Sequence, residues 1–148
     1  EIASELNHAN LGQSIVIHIG SDPLVGCSSK LWLEWLQSDP LTEAIVLVGD
    51  ICWDSEGETA TYLSAKQGKP VVAYLAGIHA NTPRPLTDAA IVLSHTLSNP
   101  IHNADTIQER MKTYKRAKIP VAKKISQIPH LLKKLEIERI AVSDSNRA

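Results

Sequence analysis

Five short apolar runs rich in β-branched residues recur along the chain, at residues 14–19, 44–49, 70–75, 89–93 and 119–122. Their apolar positions do not alternate with polar ones, so each run is predicted as a strand that is buried on both faces. Four helical stretches are predicted as well, at about residues 29–37, 56–67, 105–117 and 127–138. Alternation of strand and helix predicts an α/β fold, a three-layer parallel sheet of about five strands joined by right-handed crossovers.

The 148 residues, of which 43% are hydrophobic, are enough for one compact domain and too few for two of ordinary size. We expect this domain over residues 1–140, and a polar tail over residues 141–148 that frays. Because the chain starts at Glu1, without Met and inside a predicted helix, we expect it to be a fragment of a longer protein. The sequence contains neither an apolar run long enough for a membrane span nor a recognisable secretory signal.

Cysteine and histidine spacing argues against a metal site. Cys27 and Cys52 are the two cysteines, and they form no C-x-x-C pair and no disulfide framework. A reducing, cytoplasmic compartment is therefore expected. No spacing typical of metal ligands is found among His8, His18, His102 and His130.

The net charge of −1 is unevenly distributed along the chain. Residues 1–104 hold 4 Lys and Arg against 11 Asp and Glu, whereas residues 105–148 hold 11 against 5. The basic residues of the second part have spacings that fit solvated helix faces, and no aromatic residues interleave with them as in single-stranded nucleic-acid sites. Nucleic-acid binding is therefore not expected.

Ligands of open parallel sheets bind beyond the carboxyl ends of the strands, so the loops after the predicted strands are examined for chemistry. The turn at residues 20–30 leads into a helix through Gly26, Cys27, Ser28 and Ser29. Backbone N–H groups and hydroxyls at this helix start are suited to hold a phosphate or a carboxylate. The alternative is that Ser28 or Ser29 is a plain helix N-cap. The turn is not a Walker A loop, because its glycines are one residue too far apart.

Three further loops contain candidate site residues. Asp50 directly follows the second predicted strand, so its carboxylate is expected to face a site. His79 lies in the loop at residues 77–85, which contains two prolines and follows the third strand. His95 lies in the long polar loop at residues 94–103, and long loops in compact domains are more often functional than not.

Three sequence blocks carry a resemblance to a known family. The first, at residues 20–26, is Gly-Ser-Asp-Pro followed by Gly26. The second, at residues 39–51, is Asp-Pro-Leu-Thr-Glu-Ala-Ile-Val-Leu-Val-Gly-Asp-Ile, and the third, at residues 69–77, is Lys-Pro-Val-Val-Ala-Tyr-Leu-Ala-Gly. They resemble the C-terminal ligase domain of the succinyl-CoA synthetase alpha subunit and its acyl-CoA ligase and ATP-citrate lyase relatives. The blocks occur in the family's order and spacing, and the resemblance covers residues 1–135. It implies a flavodoxin-like sheet, in agreement with the pattern of apolar runs.

The resemblance also implies which residues stand at the family's catalytic positions. A histidine of that family carries a phosphoryl group, and when residues 90–92 are aligned with the family motif this histidine corresponds to Thr87. The family's orienting glutamate corresponds to Asp50, one methylene shorter, and two glycines correspond to Cys52 and Trp53. A threonine hydroxyl cannot replace imidazole as a reversible phosphoryl carrier. We therefore expect a divergent domain that keeps the fold, has lost the carrier and acts as a scaffold or subunit-contact domain.

Two alternatives remain open at this point. In the first, His79 or His95 has taken over as phosphoryl carrier, and the domain is an active acyl-CoA ligase domain. In the second, the chain is a flavodoxin-like regulatory binding domain in which Asp50 has the role of a receiver's acidic residue. The second is disfavoured because Asp22 has no acidic neighbour at the end of the first run and Lys69 precedes its strand.

The resemblance implies CoA and ATP with Mg²⁺ as ligands of the full-length protein, and no cofactor for this fragment by itself. The family's CoA-binding Rossmann domain would lie upstream of Glu1, at the N-terminal side. Use of ATP would also need a beta-subunit-like ATP-grasp partner or a fused equivalent.

A pair of tryptophans is the last feature predicted from the sequence. Trp32 and Trp35 are three apart, so they are expected on one side of the helix, with Leu31, Leu33 and Leu36 completing an apolar stripe. Such a stripe is typical of core packing, whereas exposure of both rings would indicate a docking surface.

Overall fold

The computed structural model describes residues 1–19, 26–49, 56–65, 68–76 and 107–145. Its helices are α1 (Ile2–His8), α2 (Ser29–Ser38), α3 (Glu56–Ala65), α4 (Ile107–Arg116) and α5 (Ile128–Ser145). Its strands are β1 (Ile45–Gly49), β2 (Val71–Leu75) and β3 (Val121–Ala122), and a 3₁₀ turn at Ile125–Gln127 precedes α5. The four predicted helices are confirmed. The described bounds of α2, α3 and α4 agree with the prediction to within two residues, whereas α5 continues seven residues beyond its predicted end at residue 138.

The strands form one parallel sheet in the order β1, β2, β3. Ile45 is aligned with Val71 at one end of the first pair and Gly49 with Leu75 at the other. The predicted parallel α/β architecture is therefore confirmed, with strands at three of the five predicted runs. The predicted strand at residues 89–93 lies outside the described ranges.

The prediction of a strand at residues 14–19 is wrong, because this described segment belongs to no strand. This segment and β1 both line one cavity of about 820 Å³. The Ser14 hydroxyl, 3.2 Å from the Thr42 hydroxyl, fixes the start of the segment, and Val16 then exposes 76% of its surface to solvent. An apolar run predicts burial only where a neighbouring backbone completes the ladder.

Helices cover both faces of the sheet and form two separate apolar clusters. The first cluster contains Leu33 of α2, Ala60 of α3 and Tyr114 of α4. The second cluster contains Leu6 of α1 and Ile128 of α5. Alternate side chains of β2 enter each cluster, and the first receives Val71, Ala73 and Leu75 whereas the second receives Val72. The strand is thus buried on both sides, as its unbroken apolar sequence predicts.

The ends of α2 follow from local sequence. Ser28 is the N-cap, and its side chain accepts a hydrogen bond from the backbone N–H of Leu31. At the other end the hydroxyl of Ser38 donates to the carbonyl of Trp35 at 2.8 Å. Asp39 then adopts an extended conformation, as expected for a residue that precedes proline.

The tryptophan pair packs edge to face, with ring centroids 6.0 Å apart and planes at 90°. The prediction that Trp32 and Trp35 lie on one side is confirmed, but the predicted stripe is wrong for Leu31. Leu33 is buried, whereas Leu31 and Trp35 are 55% and 48% exposed. These two residues are four apart and share the outward face of the helix. Only one of the two rings is therefore largely exposed.

The C-terminal part of the chain is more helical than expected. Helix α5 continues to Ser145, so most of the tail that we expected to fray is helical. Helix α4 ends at Arg116, and Lys118 then takes a left-handed backbone conformation with φ of 58°. No helix in the described ranges is long and apolar enough to cross a membrane.

Candidate functional site at the carboxyl edge of the sheet

The first part of the site is the edge at which β1 and β2 end. Gly49 is aligned with Leu75, and the N–H of Ala76 donates to the carbonyl of Gly49 at 2.9 Å. The chain therefore leaves the two strands side by side. Asp50 is the next residue in sequence after β1, although it lies outside the described residues.

Lys69 fixes the direction of α2 relative to the sheet. Its ammonium group donates to the carbonyl of Leu36 at 2.7 Å and to the carbonyl of Asp39. Because Lys69 stands just before β2, the carboxyl end of α2 lies at the amino edge of the strands. The helix has ten residues and is about 15 Å long, and Ser29 at its N-terminus lines one cavity together with Val48, near the carboxyl end of β1.

This N-terminus contains the predicted anion-binding residues Gly26, Cys27, Ser28 and Ser29. Ser28 accepts the N–H of Leu31 at 3.4 Å, a long hydrogen bond, and its side chain is thereby used as the N-cap. The N-cap alternative is confirmed for Ser28. Among the described residues, no atom lies within 4 Å of a Cβ built on Gly26. The first-turn N–H groups of a helix give a partial positive charge, which suits an anion.

Four of the predicted site residues fall outside the described ranges: Asp50, His79, Thr87 and His95. Their roles stay predictions from the sequence. What the structure brings together is the start of α2, which holds Gly26, Cys27, Ser28 and Ser29, and the paired ends of β1 and β2. Ligands of parallel sheets bind at the edge where the carboxyl ends of the strands lie.

The opposite edge of the sheet contains a hydrogen-bonded turn built by the Asp-Pro-Leu-Thr block. The hydroxyl of Thr42 donates to Asp39 Oδ2 at 2.5 Å, and the N–H of Leu41 donates to Asp39 Oδ1 at 3.2 Å. These bonds and the nearby Lys69 ammonium hold the pKa of the Asp39 carboxyl below its usual value, with the Thr42 bond as the largest cause. Thr42 is buried, and Ser14 is its second partner. The block therefore serves structure and lies away from the candidate site.

Reasoning from the sequence missed the contact between α2 and the start of β2. Gln37 Oε1 accepts the backbone N–H of Lys69 at 2.7 Å. A Cβ on Gly68 would lie 2.9 Å from Gln37 Cδ, so glycine leaves the room that this bond needs. A lysine directly before a strand indicates such a contact only when the position of the preceding helix is known.

Metal chemistry finds no support in the part of the chain that the structure describes. There, no three residues of the His, Cys, Asp and Glu types come together as potential ligands of a metal ion.

Three relatives show what the chain is similar to, whereas no family model matches it. The succinate–CoA ligase (ADP-forming) alpha subunit of Aquifex aeolicus is 38% identical over 93 residues, which are 63% of this chain and 30% of that protein. The malate–CoA ligase alpha subunit of Methylorubrum extorquens is 29% identical over 108 residues, 73% of this chain and 36% of that protein. The succinate–CoA ligase (ADP-forming) alpha subunit of Staphylococcus aureus is 27% identical over 128 residues, 86% and 40% respectively.

The chain thus spans about a third of the length of the curated relatives it matches. The resemblance inferred from the three sequence blocks is confirmed. The parallel sheet with helices on both faces agrees with it, since β1 and β2 fall inside two of those blocks. Sequence similarity and fold together identify this chain as a CoA-ligase alpha-like domain.

Proposed function

We propose that this CoA-ligase alpha-like domain has lost the phosphoryl carrier and serves as a scaffold or subunit-contact domain of a larger protein. One observation carries the proposal. When residues 90–92 are aligned with the family motif, Thr87 falls at the position of the family's carrier histidine. The similarity of the chain to an alpha subunit extends over as much as 86% of its residues.

The chemistry at the carrier position supports loss of activity. A carrier must take the phosphoryl group on a neutral imidazole nitrogen and pass it on to an acid, which needs a labile nitrogen–phosphorus bond. The oxygen ester that Thr87 would form is too stable for this exchange. Asp50, shorter than the glutamate of the family, and Trp53, in place of a glycine, are further departures from the catalytic pattern of the family.

The retained sequence blocks support the scaffold role. In the Asp-Pro-Leu-Thr block, Asp39 and Thr42 close a turn, and in the Lys-Pro block, Lys69 joins α2 to β2. The apolar residues later in each block form β1 and β2. The residues that this chain shares with the family pattern are thus, where the structure describes them, residues that build the fold.

The outward face of α2 provides the apolar surface that a subunit contact needs. Leu31 and Trp35 lie there with about half of their surface exposed, and Trp35 packs against Trp32. Aromatic residues are enriched at protein interfaces. This face supports the proposed contact role.

The full-length protein is proposed to act in the cytoplasm with the ligands and partners of the family. CoA would be held by a Rossmann domain at the N-terminal side, and ATP with Mg²⁺ by a beta-subunit-like ATP-grasp partner. The N-terminus of α2, with Ser28 and Ser29, would face bound anions at the carboxyl edge of the sheet.

Phosphoryl transfer is the test of the proposal. The full-length protein is incubated with γ-labelled ATP, Mg²⁺ and a beta-type partner, and base-stable label is measured, since phosphohistidine survives alkali. We expect no base-stable label, because Thr87 replaces the carrier. An active succinate–CoA ligase alpha and beta pair is the positive control. CoA retained by the unlabelled protein would favour a scaffold of the ligase type over a receiver-like domain.

The variants His79→Ala and His95→Ala distinguish the relocated-carrier alternative, with His102→Ala as the matched control. Base-stable label that disappears in either of the first two variants and persists in the control would overturn the proposal. The domain would then be an active ligase domain with a displaced histidine.

A further inference from the structure

A groove of about 500 Å³ lies between the end of α4 and the middle of α5, away from the candidate site. Its floor is apolar and contains Met111, Ile119, Val121, Leu131 and Leu135. Ile119 is buried, whereas the other four are only partly buried. An apolar surface thus remains partly open along the line where two helices and β3 meet.

Lysines occupy both sides of this groove. Lys112, Lys115 and Lys118 come from α4 and the residues after it, and Lys134 comes from α5. Among the described lining residues Glu138 is the acidic one, and its carboxylate lies 3.9 Å from the Lys134 ammonium with both side chains exposed. An exposed pair of this kind is weak. The rim therefore keeps an excess of positive charge.

The backbone at Lys118 is a second, independent feature of the rim. Its φ of 58° lies in the left-handed region, which destabilises residues other than glycine. Glycine is the usual residue just after a helix end. The chain has instead a lysine there, and the lysine lines the groove.

Solvated helix faces, the expectation from the sequence, explain lysines that stand alone on a helix. They do not explain an apolar floor between two basic rims. Its complement is a segment with apolar side chains along one line and carboxylates on both sides, which is what an acidic amphipathic helix presents. Charge complementarity then fixes the orientation of such a helix and increases its association rate.

We propose that this groove binds an acidic amphipathic helix of a partner protein. Apolar side chains of the helix spaced three and four apart contact Leu131, Leu135 and Met111, and its carboxylates pair with Lys115 and Lys134. Single-stranded nucleic acid is the weaker fit, because stacking platforms need aromatic side chains and no aromatic residue is among the described lining residues.

The probe is a fluorescein-labelled 18-residue helical peptide with leucine at positions spaced three and four apart and glutamate on both flanks. A scrambled peptide of the same composition is its control. Fluorescence anisotropy with the full chain is measured at low and at physiological salt. We expect the amphipathic peptide to bind at least about tenfold more tightly than the scrambled one, and added salt to weaken its binding.

Charge reversal tests the rim directly. The double variant Lys115→Glu/Lys134→Glu is expected to weaken peptide binding at least about tenfold, because it turns attraction into repulsion at both sides of the groove. The control Lys30→Glu/Lys123→Glu makes the same change of net charge at exposed lysines that do not line the groove. It is expected to weaken binding less than about threefold, through the long-range field alone. Circular dichroism establishes that both variants are folded.

Three outcomes would overturn the proposal. Equal affinity for the two peptides, or an equal loss in both double variants, would mean non-specific attraction of charge. Tighter binding of a 12-nucleotide RNA than of the amphipathic peptide would assign the groove to nucleic acid. Sedimentation of the chain as a dimer that Lys115→Glu/Lys134→Glu dissociates would assign it to a second copy.

Discussion

Asp39 combines two functions at one residue. It ends α2, and its two carboxylate oxygens hold the turn that leads into β1. The hydroxyl of Thr42 can make this bond best when Asp39 is ionised, since a charged acceptor strengthens a hydrogen bond. The stability of the turn is therefore linked to pH.

The linkage has a defined sign. The pKa of Asp39 is lowered in the folded chain, so its contribution to stability is complete above the ordinary carboxyl pKa of about 3.9 and is lost as pH falls through the lowered value. We expect Asp39→Asn to reduce the free energy of unfolding at pH 7 and to flatten its dependence on pH below about pH 4. Urea denaturation between pH 7 and pH 2.5 measures this.

Glu43→Gln is the matched control for Asp39→Asn, since Glu43 is an exposed carboxyl four residues further along the chain. It is expected to leave the acid limb of the stability curve unchanged. If Asp39→Asn and Glu43→Gln had the same acid limb, the bond between Asp39 and Thr42 would have no energetic role.

At the scale of single residues, the sequence predicts a side-chain hydrogen bond only where both of its partners belong to one local motif. The Asp39 turn lies within four residues, and the N-cap at Ser28 within three. The contacts of Lys69 with the end of α2 span about thirty residues, so no local pattern indicates them. The candidate site is therefore predicted only in part. Its residues at the start of α2 follow from local capping rules, whereas the packing of α2 against the sheet depends on contacts between distant residues.

Helix α2 shows how a single element divides its residues between core and surface. Leu33 packs with Ile45 and Tyr114 in the first cluster and is only 1% exposed. Leu31, two residues earlier, points outwards. A stripe assigned from leucine content alone cannot separate these two positions, whereas the 100° turn of each residue does.

Two leucine substitutions compare the buried side of this helix with its exposed side. Leu33→Ala should destabilise the chain by about 2–5 kcal/mol through loss of burial and formation of a cavity. Leu31→Ala, the same chemical change on the same helix, should alter stability by about 0.5 kcal/mol or less. Thermal or urea denaturation measures the change in stability of both variants. Equal effects would mean that α2 is rotated relative to the sheet described above.

Strand prediction was correct for β1 and β2, which pair with each other in parallel. Side chains of β2 enter both apolar clusters, whereas Val48 of β1 is 52% exposed. Strand prediction failed at residues 14–19, where the composition is similar but none of the described strands pairs with the backbone. The hydrophobic pattern indicates which side chains a segment would bury if it formed a strand. It does not report whether hydrogen-bonding partners come within reach, which is a property of the whole sheet.

At the scale of the whole molecule, the sheet separates two cores that share β2. The side chains of β2 alternate between them, so Leu33 belongs to the cluster of Val71, Ala73 and Leu75, whereas Ile128 belongs to the cluster of Val72. Sequence alternation of helices and strands predicts this three-layer arrangement. It cannot predict which helix covers which face.

The independence of the two apolar clusters can be tested by whether the effects of two mutations on the free energy of unfolding are additive. Leu33→Ala and Ile128→Val lie in different clusters, so their effects on the free energy of unfolding should add to within about 0.5 kcal/mol. Leu33→Ala with Ile45→Val, both in the first cluster, should instead show a coupling of about 0.5 kcal/mol or more. Urea denaturation of the unsubstituted chain, the three single variants and the two double variants gives both values. A larger coupling across the sheet than within the cluster would show that the two cores behave as one.

Lys118 bears on how this domain responds to selection. A glycine there would relax the left-handed backbone and, at the same time, remove one positive charge from the rim of the groove. Folding and partner recognition therefore favour different residues at this one position. A lineage selected only for thermostability would drift towards glycine, whereas a lineage that needs the partner would retain the lysine and tolerate the less stable fold.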